Sequence, residues 1–220
     1  MTFTLINAAP SPFGRKVAIA LIEKGLDYKI QYDVPWGDQT CTPEYSPLQQ
    51  LPILIEEDGH CIYDSVYILE WLERRFPTPA LLPPGIDALL EAKLRQLLGE
   101  RLIEVFGQIV FELQRSEPSA PWVERQERKI RRIFPELDRM LENRVIADDQ
   151  SIDLGDIAVG TALLVCESVV AFGHCPDIDI IRWRGRYSHL TRYMAWLEAR
   201  PSFTATPYRT MEVDLSATVR

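Results

Sequence analysis

The spacing of apolar and polar positions along this 220-residue chain changes character once. Before the change, short strand-like runs alternate with one-faced helices. "TFTLINA" at 2–8 reads as a strand. It is followed by a helix over 12–24 in which Phe13, Val17, Ala20 and Leu21 recur at helical spacing. Gly25 supplies the left-handed residue that ends such a helix, and "LDYKIQYDV" is the next strand. An irregular segment or short helix containing Trp36 and Pro43 separates it from "LPILIEEDGHCIYDS". There, two short apolar runs flank Asp58-Gly59, a hairpin signal. "SVYILEWLERRF" closes this part as a helix. The order strand–helix–strand, then hairpin, then helix predicts a mixed sheet with helices on its faces.

The proline-dense stretch "PTPALLPPG" at 77–85 marks the change of period. Beyond it every pattern is helical. Leu90, Leu94, Leu97, Leu98 and Leu102 begin a stripe that runs on through Val105, Phe106, Ile109, Val110 and Leu113. A charged helix is expected from about 121 to 146, a nearly uncharged one in "IDLGDIAVGTALLVCESVVAF", and a last one in "HLTRYMAWLEAR". Asp153 and Asp156 are spaced for a capping box, and Ile152 and Ile157 for the accompanying hydrophobic staple. This predicts an α/β domain over 1–78, a linker at 79–86 and an all-helical domain over 87–220.

Composition narrows the function classes. Hydrophobic residues make up 46% and charged residues 25%, enough to bury a full core. A net charge of -8 argues against a general binder of nucleic acid or anionic membrane. The N-terminus lacks a basic segment followed by a long apolar one, and no unbroken apolar run approaches the length of a membrane span, so neither a leader nor a membrane anchor is expected. The four cysteines (Cys41, Cys61, Cys166, Cys175) form no CxxC pair, and with His60, His174 and His189 they show no metal spacing. No metal is expected, and reduced thiols in a cytoplasm fit best.

Three places carry candidate chemistry, each with a structural reading beside it. Ser11 precedes Pro12 at the start of the first helix, as an N-cap does, yet its hydroxyl is also placed to act on a ligand. Pro52 opens an apolar strand; it is either an ordinary strand-start proline or a cis one that turns the backbone of Leu51 outward. Asp64 and Ser65 can cap the helix that follows. The same position gathers backbone N–H groups and a helix N-terminus suited to a carboxylate, with Asp64 suited to an ammonium; together they suit an α-amino-acid head group. No histidine is placed as a base for Ser11, and the Gly-x-Ser-x-Gly elbow of hydrolases is absent.

Taken in order, Ser-Pro-Phe at 11–13, Leu-Pro at 51–52, Asp-Ser at 64–65, the proline-rich linker, the helical second half and "WLEARPSF" resemble the glutathione transferase family over nearly the whole chain. The resemblance implies a thioredoxin-like N-terminal domain followed by an all-helical C-terminal domain. Ser11 then takes the position of the serine that hydrogen-bonds the glutathione sulfur, as catalytic residue. Leu51 and Pro52, with Pro52 cis, match the backbone site that pairs with the tripeptide's cysteine. Asp64 and Ser65 match the pair that receives the γ-glutamyl group, and Phe13 and Gln50 flank the tripeptide. A pocket for a small apolar electrophile would lie between the domains, with Phe13, Trp36, Phe106 and Val110 as candidates. The reaction would be attack by the glutathione thiolate on an electrophile or an organic hydroperoxide, a detoxifying chemistry. The alternatives are a catalytically weak protein-binding module, or a glutathione-dependent isomerase or ether-cleaving enzyme. A serine at position 11 disfavours thiol–disulfide exchange, because serine forms no mixed disulfide. The family also implies a homodimer, here formed by the helix starting at Ser65 and the helix from about 87 to 113, with Trp71 and the Leu89–Leu90 pair contributing. One departure is visible. Where many relatives read Asn-Pro-Leu-Gly-Lys-Val-Pro this chain reads "SPLQQLP", so Gln49 replaces a glycine and Gln50 a lysine; Gln50 offers a hydrogen bond to the glycyl end but no charge.

Overall fold

The computed structural model describes residues 2–144, 146–147, 150–173, 175, 179–211, 214–215 and 217. The chain divides into two compact units, Met1–Leu89 with Pro201–Val213, and Leu90–Arg200 with Asp214–Arg220.

The first unit is built on a four-stranded sheet in the order β2-β1-β3-β4. β1 (Thr2–Asn7) runs parallel to β2 (Asp27–Tyr32) and is joined to it by α1 (Pro12–Glu23). β3 (Ile53–Ile55) lies antiparallel to β1, and β4 (Cys61–Ile62) antiparallel to β3, closing the hairpin at Gly59, whose φ of 88° requires glycine. α2 (Thr42–Tyr45) is a single turn, and α3 (Ser65–Arg75) packs beside α1. Leu5 and Ile6 are both fully buried, although neighbouring strand residues point to opposite faces. Both faces of β1 are therefore covered. Val17, Leu21, Ile68 and Leu72 complete this core, and Phe3 stands edge-on to Trp71 and Phe76 at 6.2 and 6.0 Å between ring centres.

The proline-rich stretch is pinned rather than loose. Lys24, which caps the C-terminus of α1, donates to the carbonyls of Phe76 and Pro79 at 2.7 and 2.8 Å and pairs with Glu73 at 2.7 Å. Glu73 in turn accepts from the Leu81 N–H at 3.1 Å. A buried ammonium with two carbonyls and a carboxylate is fully satisfied, so the end of α3 and the start of the linker are held to α1.

Pro201–Val213, read from the sequence with the helical domain, falls within the sheet unit, and Asp214–Arg220 within the helical one. α8 (Pro201–Thr204) packs on α1, where the Ser202 hydroxyl donates to Glu23 at 2.5 Å and Arg15 donates to the Phe203 carbonyl at 3.2 Å.

The second unit holds most of α4 (Ile86–Glu112), α5 (Ala120–Met140), α6 (Leu154–Ala171) and α7 (Ser188–Glu198), with a 3-10 turn at Asp179–Ile181. α5 ends at Met140, short of the expected 146. α6 is the buried centre. It is apolar and long enough to cross a membrane, with mean hydropathy 1.7, a property not foreseen because Asp156 and Glu167 interrupt it, and 67% of that span is buried. Its capping box is present in both directions: Asp153 accepts from the Asp156 N–H at 2.9 Å, and Asp156 from the Asp153 N–H at 3.0 Å. α4 crosses α6 at glycines. A Cβ on Gly99 would come within 2.6 Å of the Ala158 backbone, and one on Gly155 within 2.5 Å of the Ala92 carbonyl. His174 lies outside the described residues.

Candidate functional site

The sheet's registers bring the three candidate positions to one end. Ile6 pairs with Ile53, so one further step sets Asn7 level with Pro52. Leu54 pairs with Ile62, so two further steps set Asp64 level with Pro52 on its other side. Ser11 follows β1 at that same end, and α1 and α3 both begin there.

Ser11 caps α1. Its Oγ accepts from the Gly14 N–H at 3.4 Å, a long bond that uses one lone pair. A serine hydroxyl has two lone pairs and a proton, so capping leaves the O–H donor available. Phe13, half-buried in the first turn, lies 5.1 Å from the Lys16 ammonium. Gly14 has a reason that the sequence hides: a Cβ there would stand 1.8 Å from the Asn7 carboxamide oxygen. Asn7 itself is buried, and that oxygen has no partner among the described residues.

The Leu51–Pro52 peptide is cis. Pro52 is buried and Leu51 half-exposed, just outside the β3 ladder, so no described strand takes the Leu51 N–H and C=O. Gln50 is exposed. Gln49 has φ 50°, a left-handed conformation that costs a non-glycine residue roughly 1–2 kcal/mol. A glycine at this position would adopt the same conformation without that cost.

Asp64 caps α3 with one oxygen, which accepts from the Val66 and Tyr67 N–H groups at 3.0 and 3.3 Å. It is exposed, and its second oxygen faces no described donor; Ser65, in the first turn, is buried. The Tyr63–Asp64 peptide is also cis. The set thus offers a hydroxyl donor, a free backbone amide pair and a half-used carboxylate at a helix N-terminus.

Of the remaining candidates, Trp36 is 36% exposed in the first unit. Phe106 and Val110 are buried in α4 within the second. Sequence reasoning missed Asp33, which organises the segment leading to α2. It accepts from the Thr40 and Thr42 hydroxyls at 2.9 and 2.7 Å, and from the N–H groups of Val34, Cys41 and Thr42. Burial would raise its pKa, but donation from Thr42, Thr40, Cys41 and Val34 holds it below the usual carboxylate value. Its signal was faint: an Asp followed by Thr-Cys-Thr seven residues on. His60 sits in the hairpin, paired with Glu56 at 2.7 Å and away from Ser11 in the sheet. Among the described residues no cluster suits a metal ion.

Comparison with known proteins gives one coherent picture. Residues 5–80 match the family model described as "Glutathione S-transferase, N-terminal domain". The crystal structure of a glutathione S-transferase from Methylobacterium radiotolerans, in complex with glutathione sulfonate, is 40% identical. The match covers 97% of this chain and 99% of that one, with a TM-score of 0.85. A glutathione S-transferase from Methylobacillus flagellatus with glutathione bound is 29% identical, covering 93% and 98%, with a TM-score of 0.81. The "Uncharacterized GST-like protein YibF" of Escherichia coli is 28% identical over 207 residues, 92% of this chain and 96% of its own length.

Proposed function

The chain belongs to the glutathione S-transferase family, and from that premise we propose that it binds glutathione at the Ser11–Pro52–Asp64 end of its sheet and activates the thiol with Ser11. The observation that carries the reading is the convergence of a donor hydroxyl, the Leu51 backbone and the α3 N-terminus at one sheet end. The glutathione-type ligands in the two full-length structural relatives support the choice of ligand.

In this reading the γ-glutamyl carboxylate sits on the N-terminus of α3 and its ammonium takes the second oxygen of Asp64. The cysteinyl backbone pairs with Leu51, which brings the sulfur beside Ser11. A free thiol with pKa about 8.5 is only a few per cent ionised at pH 7. Lowering that value by two units requires a preference of about 2.7 kcal/mol for the anion. A hydrogen bond to a charged acceptor contributes roughly 1.5–3 kcal/mol, so one hydroxyl aided by the α1 N-terminus is sufficient. The thiolate then attacks an electrophilic carbon, forming a C–S bond as the leaving group departs with the electron pair. Ser11 donates a hydrogen bond throughout and forms no bond to the substrate.

The exposed apolar faces support a homodimer. Leu90, Leu94 and Leu97 follow one another along one side of α4 at 59%, 45% and 48% exposure, and Val66 and Tyr67 are exposed on α3. Trp71, expected at that interface, is half-exposed on α3 and packs edge-on to Phe3 and Phe76.

Two titrations test the assignment. Calorimetry should give saturable glutathione binding that Asp64→Ala weakens by about tenfold or more. The ultraviolet absorbance of the bound thiolate should shift to higher pH in Ser11→Ala, with a loss of roughly 10- to 30-fold in conjugation rate at pH 7. A second reading, glutathione binding without useful catalysis, draws on the uncharged Gln50. It is distinguished by saturable binding with a thiol titration that Ser11→Ala leaves in place.

A further inference from the structure

A cleft of about 240 Å³ lies wholly within the sheet unit, between edge strand β2, α1 and the segment after α8. None of Ser11, Leu51, Pro52, Asp64 or Ser65 lines it. Its walls include Tyr28, Tyr32 and Tyr208, with Arg15 and Arg209 beside them and no carboxylate among the described residues.

Arg15 is the group that calls for explanation. The residue is only 7% exposed, yet the described residues supply its guanidinium no carboxylate. Its partners are neutral: the Thr206 hydroxyl at 3.5 Å and the Phe203 carbonyl at 3.2 Å. The faces of Tyr208 and Phe203 lie 4.4 and 5.7 Å from the guanidinium carbon. Arginine has five N–H donors, and these two acceptors leave most of the fork unused. A buried cation is ordinarily paired with an anion. In a chain of net charge -8 with carboxylates abundant, the absence of one among the described residues of this wall leaves a confined positive site. Arg95 in the helical unit, 1% exposed, is by contrast met by Asp153 and Asp156.

We propose that this cleft binds a small planar aromatic carboxylate, its carboxylate on the Arg15 guanidinium and its ring against the tyrosine walls. The guanidinium fork matches a carboxylate in two parallel hydrogen bonds. The Tyr28, Tyr32 and Tyr208 rings offer flat apolar surface to an aromatic ring. The volume falls just under the range of drug-sized pockets, which restricts the occupant to about one ring. Arg209, exposed at the same wall, adds attraction for an anion from solution.

The test is calorimetric titration of the full chain with benzoate, benzamide and inorganic phosphate, each with and without saturating glutathione. Benzoate should bind saturably and independently of glutathione, with benzamide and phosphate each weaker by about tenfold or more. Arg15→Met should weaken benzoate by about tenfold. Because Arg15 also holds the segment after α8, a second variant leaves it intact. Ile30→Glu places a competing carboxylate on the same wall from a residue 42% exposed, and should lower benzoate affinity to a similar degree. Benzamide binding as well as benzoate, phosphate matching benzoate, displacement of benzoate by glutathione, or undiminished benzoate binding in a folded Ile30→Glu protein would each overturn the proposal.

Discussion

Replacing Asp156 with alanine should destabilise the protein by about 3–5 kcal/mol, although Asp156 is remote in sequence from every proposed ligand contact. Its carboxylate is fully buried. It accepts from the Asp153 N–H at 3.0 Å, from the Tyr193 hydroxyl at 2.6 Å, from Arg95 at 3.4 Å and from Arg144. Losing half of a capping box costs about 1 kcal/mol. The larger loss comes from the partners left behind. Tyr193 is completely buried and its hydroxyl would face an empty site, while Arg95, 1% exposed, would keep only Asp153 and Glu91. Stranding one buried charge in this way is what makes such losses large, and the individual contributions overlap rather than add. The same reasoning fixes the behaviour of a double variant. Arg95→Met with Asp156→Leu removes opposite charges together and fills both places with apolar volume. It should be less destabilised than the sum of the two single variants, by 1 kcal/mol or more. Urea titrations followed by far-ultraviolet circular dichroism supply the four numbers. If Asp156→Ala costs less than about 1 kcal/mol, or the double variant equals or exceeds that sum, the buried network does not carry that stability.

Other consequences are simpler to state. Gln49→Gly should stabilise the fold by up to about 1 kcal/mol, relief of the left-handed cost being partly offset by glycine's greater chain entropy; an unchanged or lower urea midpoint contradicts it. Asp33 has its folded pKa below the ordinary 3.8, so its carboxylate stabilises the fold above that value, and the contribution disappears as the pH falls through the lower folded value. Wild type should therefore lose its advantage over Asp33→Asn in acid, as read from melting temperatures between about pH 6 and pH 3. Burial pushes Cys175 up to about 11 and Cys166 higher still, and Cys41 and Cys61 are also raised. All four thiols should consequently react with a chromogenic disulfide more slowly than free cysteine at pH 8, and one fast-reacting thiol would contradict this. For the proposed dimer, Leu94→Glu should shift sedimentation at micromolar concentration towards the 25.3 kDa chain, whereas a wild type that already sediments as that species removes the proposal.

How much was legible in the sequence depends on whether the cause was local. The α1 boundaries, the hairpin at Gly59 and the α6 capping box rest on interactions within about five residues, and they stand where the pattern set them. Features set by contacts distant in sequence were not legible. Arg95 reads as one polar position on α4, and its partners are 58 and 61 residues away. Gly14 reads as a weak spot in a helix until Asn7 is seen against it. The segment after Arg200 carries no period that ties it to the sheet unit; its attachment runs through Arg15 and Glu23, nearly two hundred residues earlier. The apolar stripe of α3 likewise does not say that Trp71 meets Phe3, 68 residues earlier.

The candidate site shows why one kind of question resists sequence reading altogether. For Ser11 and Asp64, capping and chemistry are alternatives only if a side chain holding a helix end has nothing left to offer. The geometry dissolves that choice. Capping takes an acceptor lone pair from Ser11 and leaves its proton; it takes one oxygen of Asp64 and leaves the other. A cap is also stationed, by definition, where orphan N–H groups and the positive end of a helix converge. A residue chosen there for folding already has the position and the orientation that anion binding needs. One residue type at one place can meet both roles, so no local pattern separates them. Only a measurement that reads the two roles independently does so, such as thiolate titration set against unfolding for Ser11→Ala.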